Sequence, residues 1–339
     1  MALNENKMVR LVKRPDGAPD PSCFEVISGS VPEPGEGEFL LENLIFSMDA
    51  GVRGFMDEAA TFEGYMPQIP LGETVFGMTL GKVLKSDNPS VKVGDYMRGM
   101  AKWENYSILN DAIGLEKVEP KQGVPLQHYM GALGPVGLTA WVGMCKIGEV
   151  KEGDTVVVNA AAGATGGLAG QIAKLRGARV IGLTSTTAKI ERLYELGYDE
   201  AINYKTVGDL GSAIAEKCPE GVNVFFDNVG GEMLESILPI MAENGCVVCC
   251  GMIADYNNSD TPYGVKSLWN IVLKRLRLQG FLLFDHFDVI PKAQSELNEW
   301  AASGELKIFD NIYGGVEKIP TAFIDLMTGK TMGKTLVKA

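Results

Sequence analysis

The stretch TVVVNAAAGATGGLAGQIAKLRGARVIGLTSTTAK, residues 155–189, decides the fold. Its opening, Thr155–Asn159, has the β-branched run of a buried parallel strand. Leu168, Ile172 and Leu175 then recur at helical spacing and predict a helix from about Gly166 to Leu175. Between the two sits a loop of small residues, Gly163-Ala164-Thr165-Gly166-Gly167. Small side chains let the backbone approach a pyrophosphate and let the helix pack closely on the strand. The helix N-terminus adds free N–H groups and the positive end of its dipole. The pattern is closer to GAxGG than to GxGxxG, so taken alone it also fits a plain strand-to-helix turn.

The residues downstream separate these readings. A second strand, in ARVIGLTS, follows at the distance a dinucleotide fold requires. An NAD site carries an Asp or Glu at the end of that strand to hold the ribose hydroxyls. Here the end reads Leu183-Thr184-Ser185-Thr186-Thr187-Ala188-Lys189, without an acid. Hydroxyls such as Ser185, with the ammonium of Lys189, suit a 2′-phosphate, and NADP(H) is preferred to NAD(H). The competing reading is a Ser/Thr helix cap with Lys189 solvated on the next helix.

Outward from this stretch the chain changes texture twice. Before about residue 133, short strand-like runs such as EFLLENLIFSM, TLGKVLKS, VKVGDYMRGM and WENYSIL are broken by Gly and Pro. They predict a mostly β domain of barrel-like character over residues 1–132. Over residues 133–302, apolar runs (TVVVNA, ARVIGLTS, EAINY, VNVFFDNV, GCVVCCGMI) alternate with helix-like runs, including EMLESILPIMAEN. Such alternation implies βαβ units and a doubly wound parallel sheet, a Rossmann-type α/β domain. In the remainder, residues 303–339, Gly304 ends a helix, and the final strand KTLVKA is able to finish either domain.

Composition narrows the function classes. The 339 residues are 46% hydrophobic and 22% charged, as in ordinary globular proteins, and no apolar run is long enough to cross a membrane. The N-terminus lacks a signal peptide's apolar segment, so the expected location is the cytosol. A net charge of −12 argues against nucleic acid as a partner. Six cysteines occur without paired CxxC spacing, and Cys246, Cys249 and Cys250 sit in an apolar strand as expected free thiols. With only His128 and His286, neither a histidine-rich zinc site nor a Ser-His-Asp triad is well supported, and no metal is expected.

The runs GLTAWVGMCKIGEVKEGDTVVVNAAAGATGG, QIAKLRGARVIGLTSTTAKIERLYELGYDEAINYK, FFDNVGGEMLE and CGMIADYN resemble the zinc-free medium-chain dehydrogenase/reductases. The similarity is to the branch of prostaglandin reductases, alkenal/enone double-bond reductases and curcumin reductases, and it spans most of the chain from about residue 40. It implies NADPH phosphates on Gly163, Ala164, Thr165 and Gly166, and the adenosine 2′-phosphate on Lys189 and Tyr204. It also implies a nicotinamide side formed by Asn228, Cys250, Gly251, Tyr256 and the segment Phe281-Leu282-Leu283. A GroES-like, partly open β-barrel for the substrate, to which the last segment, residues 303–339, returns, and a homodimer through the nucleotide domain follow from the same resemblance.

The substrate end departs from the family pattern. Where relatives often carry S-x-D-P-Y-M-R, this chain has SMDAGVR, so Gly51 stands in place of a pocket tyrosine. Phe284 stands where a second tyrosine is common, and Thr331 where an asparagine is common near the last GKT. The chemistry the resemblance implies is hydride transfer to the β-carbon of an α,β-unsaturated ketone or aldehyde. An enolate forms and needs a hydrogen-bond donor, and a proton then reaches the α-carbon. Tyr65 and Tyr256 are the candidate donors. The alternatives are metal-free oxidation of an allylic or secondary alcohol, and an NADPH-binding sensor or structural protein without turnover.

Overall fold

Two kinds of sequence texture become two units of structure. The computed structural model describes residues 5–58, 67–110, 115–257 and 261–339. One unit combines Met1–Met130 with Asp310–Ala339, and the other is Gly131–Phe309. The second crossing falls at 310 rather than the expected 303 for a local reason. Beyond the helix Ile290–Ser303, the Leu306 N–H still donates to the Trp300 carbonyl at 2.9 Å. The Lys307 N–H likewise donates to the Gln171 side chain at 2.7 Å, so residues 304–309 stay with the nucleotide unit.

The first unit is built on a seven-stranded sheet. Its central strand, Phe39–Ser47, pairs antiparallel with Phe76–Ser86 and with the final strand Lys334–Lys338. That final strand therefore finishes the β-rich unit, and it runs parallel to Asp310–Gly314 on its other side. Register shifts between Leu40 and Leu41 and between Asn43 and Ile45 bend the central pair, as bulges do in barrel walls. Among the described residues the two ends of the sheet do not pair with each other, so the barrel is open. Phe46, Trp103, Phe323 and Val337 form its core with the hairpin strand Asn6–Leu11. That hairpin, Asn6–Leu11 against Phe24–Gly29, was not anticipated from the sequence.

The second unit carries a six-stranded, wholly parallel sheet. In chain order its strands are Thr155–Val158, Arg179–Thr184, Glu200–Asn203, Val222–Asp227, Met241–Cys249 and Arg277–Gly280. Across the sheet they lie 3-2-1-4-5-6, the Rossmann order, with the direction of winding reversing between the first and fourth strands. Core residues Val157, Ile181, Phe225 and Val247 are wholly buried, as expected for strands covered on both faces. One expected element is shorter than its sequence pattern. The helix in EMLESILPIMAEN ends at Ile237, and Met241–Asn244 opens the fifth strand instead. Pro239 lacks an N–H and its ring blocks further helix, while Met241 pairs with Val222. Among the described residues no helix is long and apolar enough to cross a membrane.

Candidate functional site

The loop after the first strand is Asn159–Gly163, and the helix begins at Ala164, two residues earlier than its apolar spacing predicts. Gly163 is the N-cap, so Ala164, Thr165 and Gly166 form the first helical turn rather than the loop. No side chain caps this end and no acid lies in the first turn. The N–H groups of that turn therefore point past the end of the sheet without an intrahelical acceptor. A Cβ on Gly166 would meet the Ala160 carbonyl oxygen at 2.5 Å, so only glycine lets helix and loop approach this closely. Ala160 holds a left-handed φ of 45°, a strained conformation for a residue with a side chain. The geometry suits an anion seated on the helix end.

At the ends of the second and third strands the hydroxyl-rich segment becomes a helix cap and more. Thr186 caps the helix Thr187–Glu195, its hydroxyl accepting from the Lys189 N–H at 3.3 Å. Ser185 lies just before this cap, at the mouth of the second strand. The Tyr204 N–H donates to the Thr184 carbonyl at 3.0 Å, which carries Tyr204 and Lys205 alongside Ser185. Burial, and then the positive charge of Lys205, pull the Lys189 ammonium below its ordinary value. Two cations thus converge where an NAD site would have a carboxylate. Sequence reading missed Lys205, although it directly follows Tyr204 in INYK.

The switch point between the first and fourth strands is organised by residues the sequence reading did not single out. Asn159, fully buried, donates through Nδ2 to Asp227 Oδ1 at 2.6 Å. Its Oδ1 accepts the Asn228 N–H at 2.6 Å, and its carbonyl accepts Asn228 Nδ2 at 3.0 Å. Asp227 Oδ1 also accepts the N–H groups of Val229 and Gly230 at 2.9 and 2.8 Å. Burial pushes the Asp227 carboxyl up, while these donors oppose the shift. A polar residue closing an otherwise apolar strand, as in TVVVN and VFFD, was the available signal.

Of the predicted nicotinamide-side residues, Asn228, Cys250 and Gly251 bond into this network. Cys250 and Gly251 donate their N–H groups to the Asp227 carbonyl at 2.8 and 3.1 Å. A Cβ on Gly251 would lie 3.3 Å from both the Asn228 carbonyl and the Tyr256 hydroxyl, so Tyr256 folds back over the loop. Burial raises the Tyr256 phenol above its ordinary value. Phe281, Leu282 and Leu283 leave the end of the sixth strand and lead into a 3-10 turn, Leu283–Asp285. The Phe281 ring lies 6.1 Å from that of His286, and Leu282 and Phe284 are exposed.

Two candidates remain. Thr331 belongs to the other unit, between the helix Ile319–Met327 and the strand Lys334–Lys338. Tyr65 lies outside the described residues. The rebuilt SMDAGVR stretch runs from the end of the central strand into the 3-10 helix Ala50–Met56. Lys334, nearly fully buried, donates to Asp49 Oδ1 at 2.6 Å and to the Met48 carbonyl at 2.9 Å. Ser47 donates to Asp49 Oδ2 at 2.6 Å, and Arg53 is clamped by the Gly17 carbonyl and Asp57. A Cβ added to Gly51 would meet no described atom within 4 Å.

Known proteins share both units. Residues 7–118 match the family described as the N-terminal domain of oxidoreductase, and residues 164–300 match the family described as zinc-binding dehydrogenase. The NADP(+)-dependent 2-alkenal reductase of Nicotiana tabacum is 37% identical, over 98% of this chain and 97% of its own. The chain belongs to the medium-chain dehydrogenase/reductases, in their enone double-bond reductase branch. Within that branch, the NADPH-dependent curcumin reductase of Escherichia coli (strain K12) is 33% identical over 98% of this chain and 96% of its own. A crystal structure of CurA from Vibrio vulnificus in complex with NADPH superposes with a TM-score of 0.90. It is 32% identical and covers 98% of this chain and 99% of that one. Among the described residues, no group of three or more His, Cys, Asp or Glu is arranged to hold a metal ion.

Proposed function

We propose that the chain is an NADPH-dependent reductase of the carbon–carbon double bond of α,β-unsaturated ketones and aldehydes. The observation that carries this reading is the acid-free end of the second strand, where Ser185, Lys189, Tyr204 and Lys205 collect in place of a ribose-binding carboxylate. The uncapped helix end at Gly163–Gly166 fits the pyrophosphate of the same ligand. Asn228, Cys250, Gly251 and the backbone of Phe281–Leu283 are assigned to the nicotinamide side. The substrate class follows the relatives, whose names are those of reductases of alkenals and curcumin.

Bound NADPH supplies a hydride for the β-carbon of the enone. The protein's part is to hold that carbon in line and to meet the negative charge that develops on the carbonyl oxygen. A phenol raised by burial stays protonated through the neutral range and donates a hydrogen bond to such an oxygen. Tyr256 has that property, and Tyr65 is the second candidate. We assign Lys334 and Asp49 to shaping the SMDAGVR end of the substrate unit, since their ion pair fixes its backbone.

A homodimer is part of this reading. The helix Trp269–Lys274 has no buried residue, and Trp269, Val272 and Leu273 are 66%, 60% and 54% exposed. Next to them in sequence, Arg277–Gly280 is the last strand of its sheet, with a neighbour on one side only among the described residues. An open edge flanked by apolar side chains pairs most simply with its own copy about a twofold axis. The function is tested by following NADPH absorbance with a panel of enals, enones, quinones and allylic alcohols. Consumption with enals and enones, giving the saturated carbonyl, is the expected result. Tight NADPH binding without consumption by any member would replace the reductase with a sensor.

A further inference from the structure

Asp227 has no part in the chemistry above, yet the end of the nucleotide sheet is assembled around it. Its side chain is 1% exposed. Through Oδ1 it gathers donors from two segments, the Asn159 amide after the first strand and the Val229 and Gly230 N–H groups after the fourth. Its backbone carbonyl takes the Cys250 and Gly251 N–H groups after the fifth strand. The segments it joins are then laced to one another. Ile253 and Ala254 donate to the carbonyls of Asn228 and Val229 at 3.2 and 3.1 Å. Gly230 and Gly231 follow with φ of 70° and 56°, and a Cβ on Gly230 would meet Met252 at 3.1 Å. The turn beside the carboxylate is thus both left-handed and in tight contact with the loop it supports.

We propose that Asp227 is a positioning residue that fixes the nicotinamide side of the cofactor site, by tying together the chain ends after the first, fourth and fifth strands. This rests on the NADPH reading and adds to it a division of labour. The phosphate end falls to the helix Ala164–Leu175 and to Lys189, on the helix that follows the second strand. The nicotinamide end depends on one buried carboxylate whose loss would strand an amide and two backbone donors.

The test uses the full chain with Asp227→Ala, Asn159→Ala and Lys189→Ala, and two probes, NADPH and 2′,5′-ADP, which carries only the phosphate-end groups. Asp227→Ala, which strands the Asn159 amide and the Val229 and Gly230 N–H groups, is expected to weaken NADPH binding about tenfold and leave 2′,5′-ADP binding unchanged. With an enone that the wild type reduces, kcat should fall about a hundredfold with little change in the enone KM, as for a misplaced hydride donor. Lys189→Ala should weaken both probes, and weaken NADPH far more than NADH. If Asp227→Ala fails to fold, Asn159→Ala, which keeps the carboxylate and its two backbone donors, should show the same pattern more weakly. Equal loss of both probes in the folded variants, or wild-type binding and turnover, would overturn the positioning role. A wild-type chain that binds neither probe removes the NADPH reading itself, a result distinct from either of these.

Discussion

Cys249 and Cys250 close the fifth strand beside Asp227, and burial followed by the charge of that carboxylate pushes their thiols up to about 11 and about 12. An enal adds readily to thiolates, so a reductase of such substrates gains from thiols that stay neutral. The sign is direct. At pH 7 both groups are protonated, and the thiolate fraction rises about tenfold per pH unit until the pH approaches their raised values. Alkylation by iodoacetamide, followed by peptide mass spectrometry, should therefore be slow at pH 7 and still accelerating at pH 10. A rate that levels off near pH 8.5, the range of an ordinary cysteine, would show that neither burial nor the carboxylate has a hold on them. At this scale the sequence was legible where a residue type is itself the code. Missing acids and a lysine after the second strand identify a phosphate preference without any knowledge of contacts. Asn159 and Asp227 were not legible, because their meaning lies in a bond between positions 68 residues apart.

Helix packing against the sheet turns on glycines whose roles only the fold reveals. Gly170 lies in the middle of the helix Ala164–Leu175, where a Cβ would sit 2.0 Å from Tyr198 Cζ. Tyr198 is itself buried and donates its hydroxyl to the Gly166 carbonyl at 2.7 Å, so it has no room to yield. Gly170→Ala should cost about 1–3 kcal/mol despite the better helix propensity of alanine. Calorimetric or circular-dichroism melting would check this, and an unchanged or raised midpoint would count against the packing argument. The existence of strands and helices was readable from periodicity, but two element ends were not. The helix at Ala164 begins on small residues that carry no apolar signal. The helix of EMLESILPIMAEN gives way at Pro239, and the strand that follows is recruited by its partner Val222. Pairing between distant segments overrode a local helical pattern.

For the molecule as a whole, the alternating texture was enough to predict a parallel doubly wound sheet, and the observed 3-2-1-4-5-6 order is its Rossmann form. The dimer proposed from the bare helix Trp269–Lys274 belongs to this scale. In sedimentation the chain should run as a dimer, and Trp269→Lys, which places a charge on the exposed face, should shift it toward monomer. A wild-type monomer at micromolar concentration would exclude that interface. The assignment of the last strand to the β-rich unit came from the family resemblance and not from pattern, since KTLVKA suits either sheet. Its place beside Phe39–Ser47 has a consequence for how the chain is made. On a ribosome, the Rossmann unit is complete as soon as Phe309 has emerged, whereas the central strand of the open barrel still lacks a neighbour. Until Lys334–Lys338 is synthesised, the Ile45–Ser47 end of that strand presents a bare edge, and the β-rich unit, begun first, is the last to close.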